Sequence, residues 1–515
     1  MGRIAVIGAG TGAMAAAARL AVAGHRVTVY ERAETYGGAV RRFERDGFGF
    51  DTGPGLLTLP AVWRDLFVKT GKEPLEACVE LVQADPSARH VFADGTEVVL
   101  PNASRAGVVA ALDEALGTGA GDRWGDFLVR ARETWDRTRR PLLEEPLWPN
   151  WPVLAEREPY PAVPHKRLLR TRRAATLAEI GAWELRDPRL TALLESHALA
   201  HGLDPRTAPA GAAVLPYLEH AFGTWYVRGG TRELARAVYE RCLARRVEFR
   251  FGAEVTGVLE KDGRAAGVEL TEGASRAPGS GSGSGGVTVE EADHVVAGVH
   301  PRRLRELTRH PLDDEGDVRP DTRPRPGRFT VLLALRGPRE PGAVHRTVVH
   351  APDRTAEWDF LAGRSSEPVR PTVTVLRPDD PALRPDGEHE SVVVSAVVPP
   401  ETGGRPAARR EALADVLVTA AEAAIPRLRE RILWREVRAP GHGEEGTGAG
   451  SGEVSPPSLA AGQGRFLHPA NTTRLPGLYR VGRWSHPGGG LPHAGMSGAL
   501  VAGLIVEGPQ FRGSQ

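Results

Sequence analysis

Residues 3–38 read RIAVIGAGTGAMAAAARLAVAGHRVTVYERAETYGG. They begin with an unbroken apolar run, Ile4-Ala5-Val6-Ile7, the pattern of a strand covered by helices on both faces. Gly8, Gly10 and Gly12 follow, and Ala13 takes the last small position of a dinucleotide fingerprint. Gly8 suits the tight turn, Gly10 leaves no Cβ between backbone and pyrophosphate, and Ala13 allows close packing of helix on strand. The spacing predicts a helix from Thr11 to about Ala23, stopped by Gly24. Its N-terminus offers free N–H groups to a phosphate. A second strand through Val27 and Val29 ends at Glu31, about 20 residues after the turn, where a carboxylate can accept from a ribose hydroxyl. Strand, turn, helix and acid together point to a bound dinucleotide.

Composition sets the frame. With 41% hydrophobic and 25% charged residues, the 515-residue chain reads as a globular protein of several units. A net charge of +1 argues against general attraction to nucleic acid. Cys78 and Cys242 provide neither a disulfide framework nor a zinc site, so no metal is expected and a reducing cytoplasm is. The N-terminal apolar run breaks at the glycine turn and does not read as a signal peptide. No apolar run approaches the ~20 residues that span a bilayer.

Beyond Glu31 stand Gly37-Gly38 and then RRFERDGFGFDTGPGLLTLP, with a further close-approach turn at Gly53-Pro54-Gly55. Two glycine turns beside one nucleotide imply a long cofactor touched at several points. Residues 104–139 carry helical spacing through Trp124, Phe127, Leu128, Ala131 and Trp135. Prolines from 141 to 164 exclude a regular helix there. In the same stretch Trp148, Trp151 and Tyr160 lead into Lys166, Arg167, Arg170, Arg172 and Arg173, which suits either a headgroup boundary or a solvated basic rim. A helix is expected through Leu185, Leu190, Leu193 and Leu194. Gly229-Gly230 opens another, from Arg232 to about Ala244, and strands follow at 247–251, 255–260 and 292–299. GASRAPGSGSGSGG and GHGEEGTGAGSGEVSPP read as low-complexity loops. FTVLLAL, PTVTVL and SVVVSAVV alternate as strands of a second sheet, a candidate substrate platform.

The C-terminal GLYRVGRWSHPGGGLPHAGMSGALVAGLIVEG rebuilds strand, glycine turn and helix, the last from about Ala494 to Val506. One such unit holds a pyrophosphate. A second suits the far end of a large cofactor, because a helix N-terminus stabilises the anion of a reduced flavin. FAD is therefore expected rather than NAD.

The blocks VIGAGTGAMAAAARLAVAGHRVTVYERAETYGG, DGFGFDTGPGLLTLP, YVRGGTRELARAV, AEVTGV and GLYRVGRWSHPGGGLPHAGMSGALVAGLI resemble the phytoene desaturase family of FAD-dependent carotenoid desaturases and isomerases. The resemblance implies that Gly8, Gly10, Gly12 and Ala13 hold the diphosphate and Glu31 the adenosine ribose. It implies that Val255 touches the adenine through its backbone, and that Gly482, Gly490, Leu491 and Met496 surround the ribityl and flavin end. Thr11, Arg32, Gly37, Gly38, Gly53, Pro54 and Gly55 complete the expected cofactor set. His486 and His493 flank the flavin turn and are the candidate catalytic bases. Two departures stand out: Ala39 where the family commonly has Arg or Lys, and Arg483 where relatives carry an acidic or small residue.

The expected fold is α/β. A discontinuous Rossmann-like FAD-binding domain (1–73, 222–302, 466–515) carries an inserted mixed or antiparallel-sheet substrate domain (74–140, 303–465). A helical, candidate membrane-facing subdomain covers 141–221. The expected activity is desaturation of a long isoprenoid polyene by hydride transfer, with a quinone or oxygen as final acceptor. The alternatives are isomerisation, saturation or amine oxidation, and non-redox prenyl binding of the GDP-dissociation-inhibitor type. The expected location is cytoplasmic, peripheral on the inner face of the membrane, with oligomeric state open.

Overall fold

A computed structural model describes residues 1–165, 170–272, 287–313, 325–365, 369–402, 404, 406–441 and 452–513. Its first sheet is parallel throughout, in the order Glu248–Phe251, Arg26–Glu31, Arg3–Ile7, His294–Ala297, Leu478–Arg480. The opening strand is central, which accounts for its unbroken apolar run: Ile4 to Ile7 are all buried. On one face lie the helices Thr11–Val22, Thr231–Ala244 and Leu491–Val506, packed through Ala and Val. On the other lies an antiparallel sheet of Ala253–Lys261, Arg264–Glu272 and Val287–Glu291.

The first and last helices touch through bare backbone. A Cβ on Gly12 would stand 2.7 Å from the Ala494 carbonyl oxygen and 3.0 Å from Gly482 Cα. A Cβ on Gly498 would stand 2.6 Å from the Gly12 carbonyl oxygen. The small residues of both segments are thus a requirement of the contact, and they bring the two glycine turns together.

The second sheet has seven strands, in the order Ile432–Arg438, Gly327–Arg336, His389–Val398, Val373–Leu376, Arg346–Val349, Ala88–Val91, Glu97–Leu100. All neighbours are antiparallel except Arg346–Val349 with Ala88–Val91. Strand alternation sorts its side chains. Phe329, Val331 and Leu333 face the helix Ala407–Ala421 in one apolar core. Arg328, Thr330 and Leu332 face the large cavity described below.

Several expectations are corrected. The helices Arg105–Leu116 and Ala120–Arg139 share one core both with Leu190, Leu194, Leu215 and Leu218 and with Val98 and Leu100 of the second sheet, so they bridge the sheet and the helical unit. The expected continuous helix through Leu185 breaks at Arg186, which takes φ 54°. Asp187 then caps the helix Pro188–Leu199, accepting from the Arg189 N–H at 2.8 Å. The proline-rich stretch does hold a short helix, Trp151–Glu156, with Pro152 in the first turn where its missing N–H is no loss. Lys166, Arg167, the segment 273–286 and most of the second low-complexity loop lie outside the described residues.

Gly498→Val drives a side chain into the Gly12 carbonyl. Overpacking of this kind costs about 1–3 kcal/mol. The urea midpoint of the variant is expected to fall, and an unchanged midpoint would show that the helices do not depend on this contact.

Candidate active site

One continuous cavity of about 1840 Å³ runs from the opening glycine turn to the second sheet. Single-ligand pockets are usually about 300–1,000 Å³, so this space accommodates a dinucleotide and a second long ligand. Gly8, Gly10, Thr11, Gly12, Ala13, Glu31, Arg32, Gly37 and Gly38 line it, as do Gly53, Pro54, Gly55, Val255, Gly482, Gly490 and Leu491. Met496 does not. It packs toward Leu500, Leu504 and Phe511, because its position on the helix points away from the cavity.

The residues present fit a dinucleotide. A Cβ added at Gly10 or Gly482 would meet nothing within 4 Å, so both turns leave open space beside bare backbone. Gly8 and Gly482 take φ +91° and +93°, which glycine alone adopts readily. Glu31 is fixed by two backbone donors, Ala9 N–H at 2.8 Å and Ala33 N–H at 2.9 Å. Each carboxylate oxygen keeps a lone pair for a ribose hydroxyl. The Val255 carbonyl accepts from Arg303 Nη2 at 3.0 Å, which fixes the backbone at the adenine end.

The paired glycines are held by Arg232, which no sequence motif singles out, and by Arg41, which with Arg42 is the sequence's candidate replacement for the basic residue absent at Ala39. Arg232 stacks on Tyr36 with its guanidinium 3.9 Å from the ring centroid, and it donates to the Tyr36 carbonyl. Arg41 donates from Nε to the Gly38 carbonyl at 3.0 Å and lines the cavity. Arg42 instead reaches the Ala382 carbonyl. Arg41 thus places a cation on the turn where Ala39 departs from the family pattern. Arg483 lines the cavity and covers Trp484 at 4.8 Å. Asp51, at the end of GFGFD, accepts from the Thr231 N–H at 2.8 Å, and burial pushes its carboxyl up to about 6.

The two candidate bases separate. His486 is fully buried, faces the helical unit and hydrogen-bonds the Glu145 carbonyl through Nε2 at 3.0 Å. It does not line the cavity. His493 does line the cavity, and its Nδ1 has no partner. Burial pushes it down to about 3, so the ring is neutral and a poor proton acceptor. It is suited to hydrogen-bonding a ligand in the Gly490 turn, not to storing a proton.

Two expectations follow. Gly10→Ala adds a methyl group to open space at a φ of −70°, which alanine tolerates. Stability without cofactor should change by less than about 0.5 kcal/mol, while FAD retained through purification falls at least tenfold. Full retention would contradict a pyrophosphate at Gly10. The second concerns pH. Burial holds His201, His220, His345 and His486 at about 4, and His350, His468 and His493 at about 3, against an ordinary 6.5. The folded chain therefore binds fewer protons than the unfolded one below 6.5, and this stability is lost as pH falls. Asp51, raised to about 6, and Glu158 and Glu357, raised to about 7, oppose the effect but are fewer. The urea midpoint should drop between pH 6.5 and 5; a rise there would show that the carboxyls dominate.

Comparison with known proteins agrees with this geometry. The profile of the flavin-containing amine oxidoreductases matches residues 14–506. A hydroxyneurosporene desaturase of Cereibacter sphaeroides is 30% identical, over 98% of this chain and 97% of that one. A 4,4'-diapolycopene oxygenase of Methylomonas sp. is 28% identical, over 98% of both. A zeta-carotene-forming phytoene desaturase of Myxococcus xanthus is 27% identical, over 98% of this chain and 94% of that one. Among solved structures, an oxidoreductase from Methanosarcina mazei superposes with a TM-score of 0.64 at 18% identity, covering 97% and 99% of the two chains. Putrescine oxidase superposes at 0.62 with 14% identity, covering 98% and 99%, and shares the fold. The chain belongs to the flavin-containing amine oxidoreductase family, as an FAD-dependent oxidoreductase of the phytoene desaturase type.

Proposed function

We propose that the protein desaturates a long isoprenoid polyene, removing hydrogen from two adjacent carbons and so extending conjugation. The observation that carries this reading is the continuity of the cavity. It leaves the dinucleotide cleft and passes between the second sheet and the helical unit, where Leu199, Leu215, Leu218, Leu332 and Val393 line it. A slender apolar chain fits such a passage. When bound, FAD supplies the acceptor for the hydride and its electron pair. The protein's residues align the chain against the cofactor and keep water out. Curated relatives named as desaturases along nearly the full length support the same substrate class.

Such a substrate is stored in lipid. No helix among the described residues is long and apolar enough to cross a membrane. Delivery from the lipid surface is part of the proposal. Trp148 and Val153, which are 58% and 62% exposed, are its candidate contacts. The final electron acceptor is proposed to be a quinone or oxygen.

The test is incubation of the holoenzyme with an acyclic carotene in lipid vesicles. The expected product is two hydrogens lighter per step and absorbs at longer wavelength. A product of unchanged mass would select isomerisation, and one two hydrogens heavier would select saturation. Trp148→Ala with Val153→Ser should slow turnover from vesicles by about tenfold, the equivalent of ~1.4 kcal/mol of lost apolar contact. An unaltered rate from vesicles would remove the proposed membrane contact.

A further inference from the structure

A passage for a hydrocarbon has no use for charge, yet this one carries a buried ionic cluster. Glu219 lies on the helix Val214–Phe222, at the floor of the cavity. It pairs with Arg346 on the facing sheet. It also pairs with His197 Nε2 at 3.0 Å and accepts from Thr224 Oγ1 at 3.1 Å. All four residues line the cavity. His197 Nδ1 lies 3.0 Å from the Leu193 carbonyl. With a carbonyl on one ring nitrogen and a carboxylate on the other, both nitrogens are asked to donate. One carboxylate therefore takes both the Arg346 guanidinium and the His197 ring as neighbours.

Arg346 spends Nε on the Ser87 carbonyl and Nη2 on Glu219. Nη1 is left for a guest, since a guanidinium has five donors. Arg328 adds a further cation to the same cavity. Its Nη2 donates to the Ala200 carbonyl at 3.1 Å. Covering the mostly buried Arg346 and Glu219 with hydrocarbon alone is costly, and Arg328 stands open to the same space. His201 stands one turn after His197 on the same wall, and it is close enough to His493 to act on it electrostatically. The polar row thus runs from the flavin turn to Glu219.

We infer that the Arg346–Glu219–His197 cluster, with Arg328, binds an acceptor oxygen on the substrate, so that the polyene taken is oxygenated: a terminal alcohol, carbonyl or carboxylate. Arg346 and Arg328 donate to that oxygen. Glu219 holds Arg346 in place and acts as a positioning residue. This inference rests on the polyene reading of the cavity and narrows it to a substrate class.

The test is equilibrium binding of three polyenes of equal length to the holoenzyme in detergent micelles, read from the shift of the polyene absorption band. The three are the hydrocarbon, its terminal alcohol and its terminal carboxylate. The oxygenated probes should bind about 10- to 100-fold more tightly, the range of a hydrogen bond to a charged donor. The preferred probe separates a hydroxyl site from an anion site. In the triple variant Arg346→Met, Arg328→Met and Glu219→Gln, which removes both donors and leaves no unpaired carboxylate, the preference should shrink to within about twofold. Retained flavin absorbance and circular dichroism verify that this variant is folded. Equal affinity of the wild type for all three probes overturns the inference, and so does a preference that survives in the folded variant. If the hydrocarbon is bound and desaturated as well as the others, only this inference falls. If no polyene binds at all, the polyene reading falls first.

Discussion

Everything in this molecule depends on the contact between its first and last helices. Gly12 and Gly498 let the two backbones meet where any side chain would collide with a carbonyl oxygen. That contact converts two ordinary strand–turn–helix units, hundreds of residues apart, into one cleft with a bare turn at each end. The parallel sheet supplies the frame, since the strands preceding the two turns, Arg3–Ile7 and Leu478–Arg480, both flank His294–Ala297. In the proposed arrangement the first turn takes the diphosphate of a dinucleotide laid along the cleft and the second its far end.

The cleft opens into a space bounded by elements with different demands. The seven-stranded sheet buries Phe329, Val331 and Leu333 against a helix and pays for that face with hydrophobic contact alone. Its other face is divided: Leu332 and Ala334 pack under Phe48 and Phe50, and the remainder opens on the cavity. There it carries Arg328, Thr330 and Arg346 among leucines and valines, and the helical unit answers with His197 and Glu219. The family relation states which cofactor is used. The character of the inner wall bears on what the cofactor acts upon.

Much of this was legible in the sequence because it depends on local geometry. The glycine spacing, Glu31 and the terminal HPGGGLP turn each reflect a backbone requirement that few residues satisfy, and the structure places these turns on one cavity. What was not legible depends on contacts between distant segments. Nothing in TWDRTRR indicates that residues 105–139 pack with 188–218 as well as with Val98 and Leu100 of the second sheet. His486 and His493 look equivalent in sequence, and only the fold turns one toward Glu145 and the other into the cavity. Arg232 clamps Tyr36 from nearly 200 positions away. The Glu219–Arg346 pair joins a helix to a strand, so no spacing rule reveals it. One signal was available: period-two alternation in GRFTVLLALR sets Arg328 and Thr330 on one face and Phe329 and Val331 on the other.

The central claim is that both ends of the chain enclose a single flavin dinucleotide. The most direct measurement is the stoichiometry of flavin in the purified protein, from the visible spectrum and from the nucleotide released on denaturation. The account predicts one FAD for each polypeptide, noncovalently held and recovered intact. A colourless protein that takes up no added FAD, or one that releases only a mononucleotide, would contradict it.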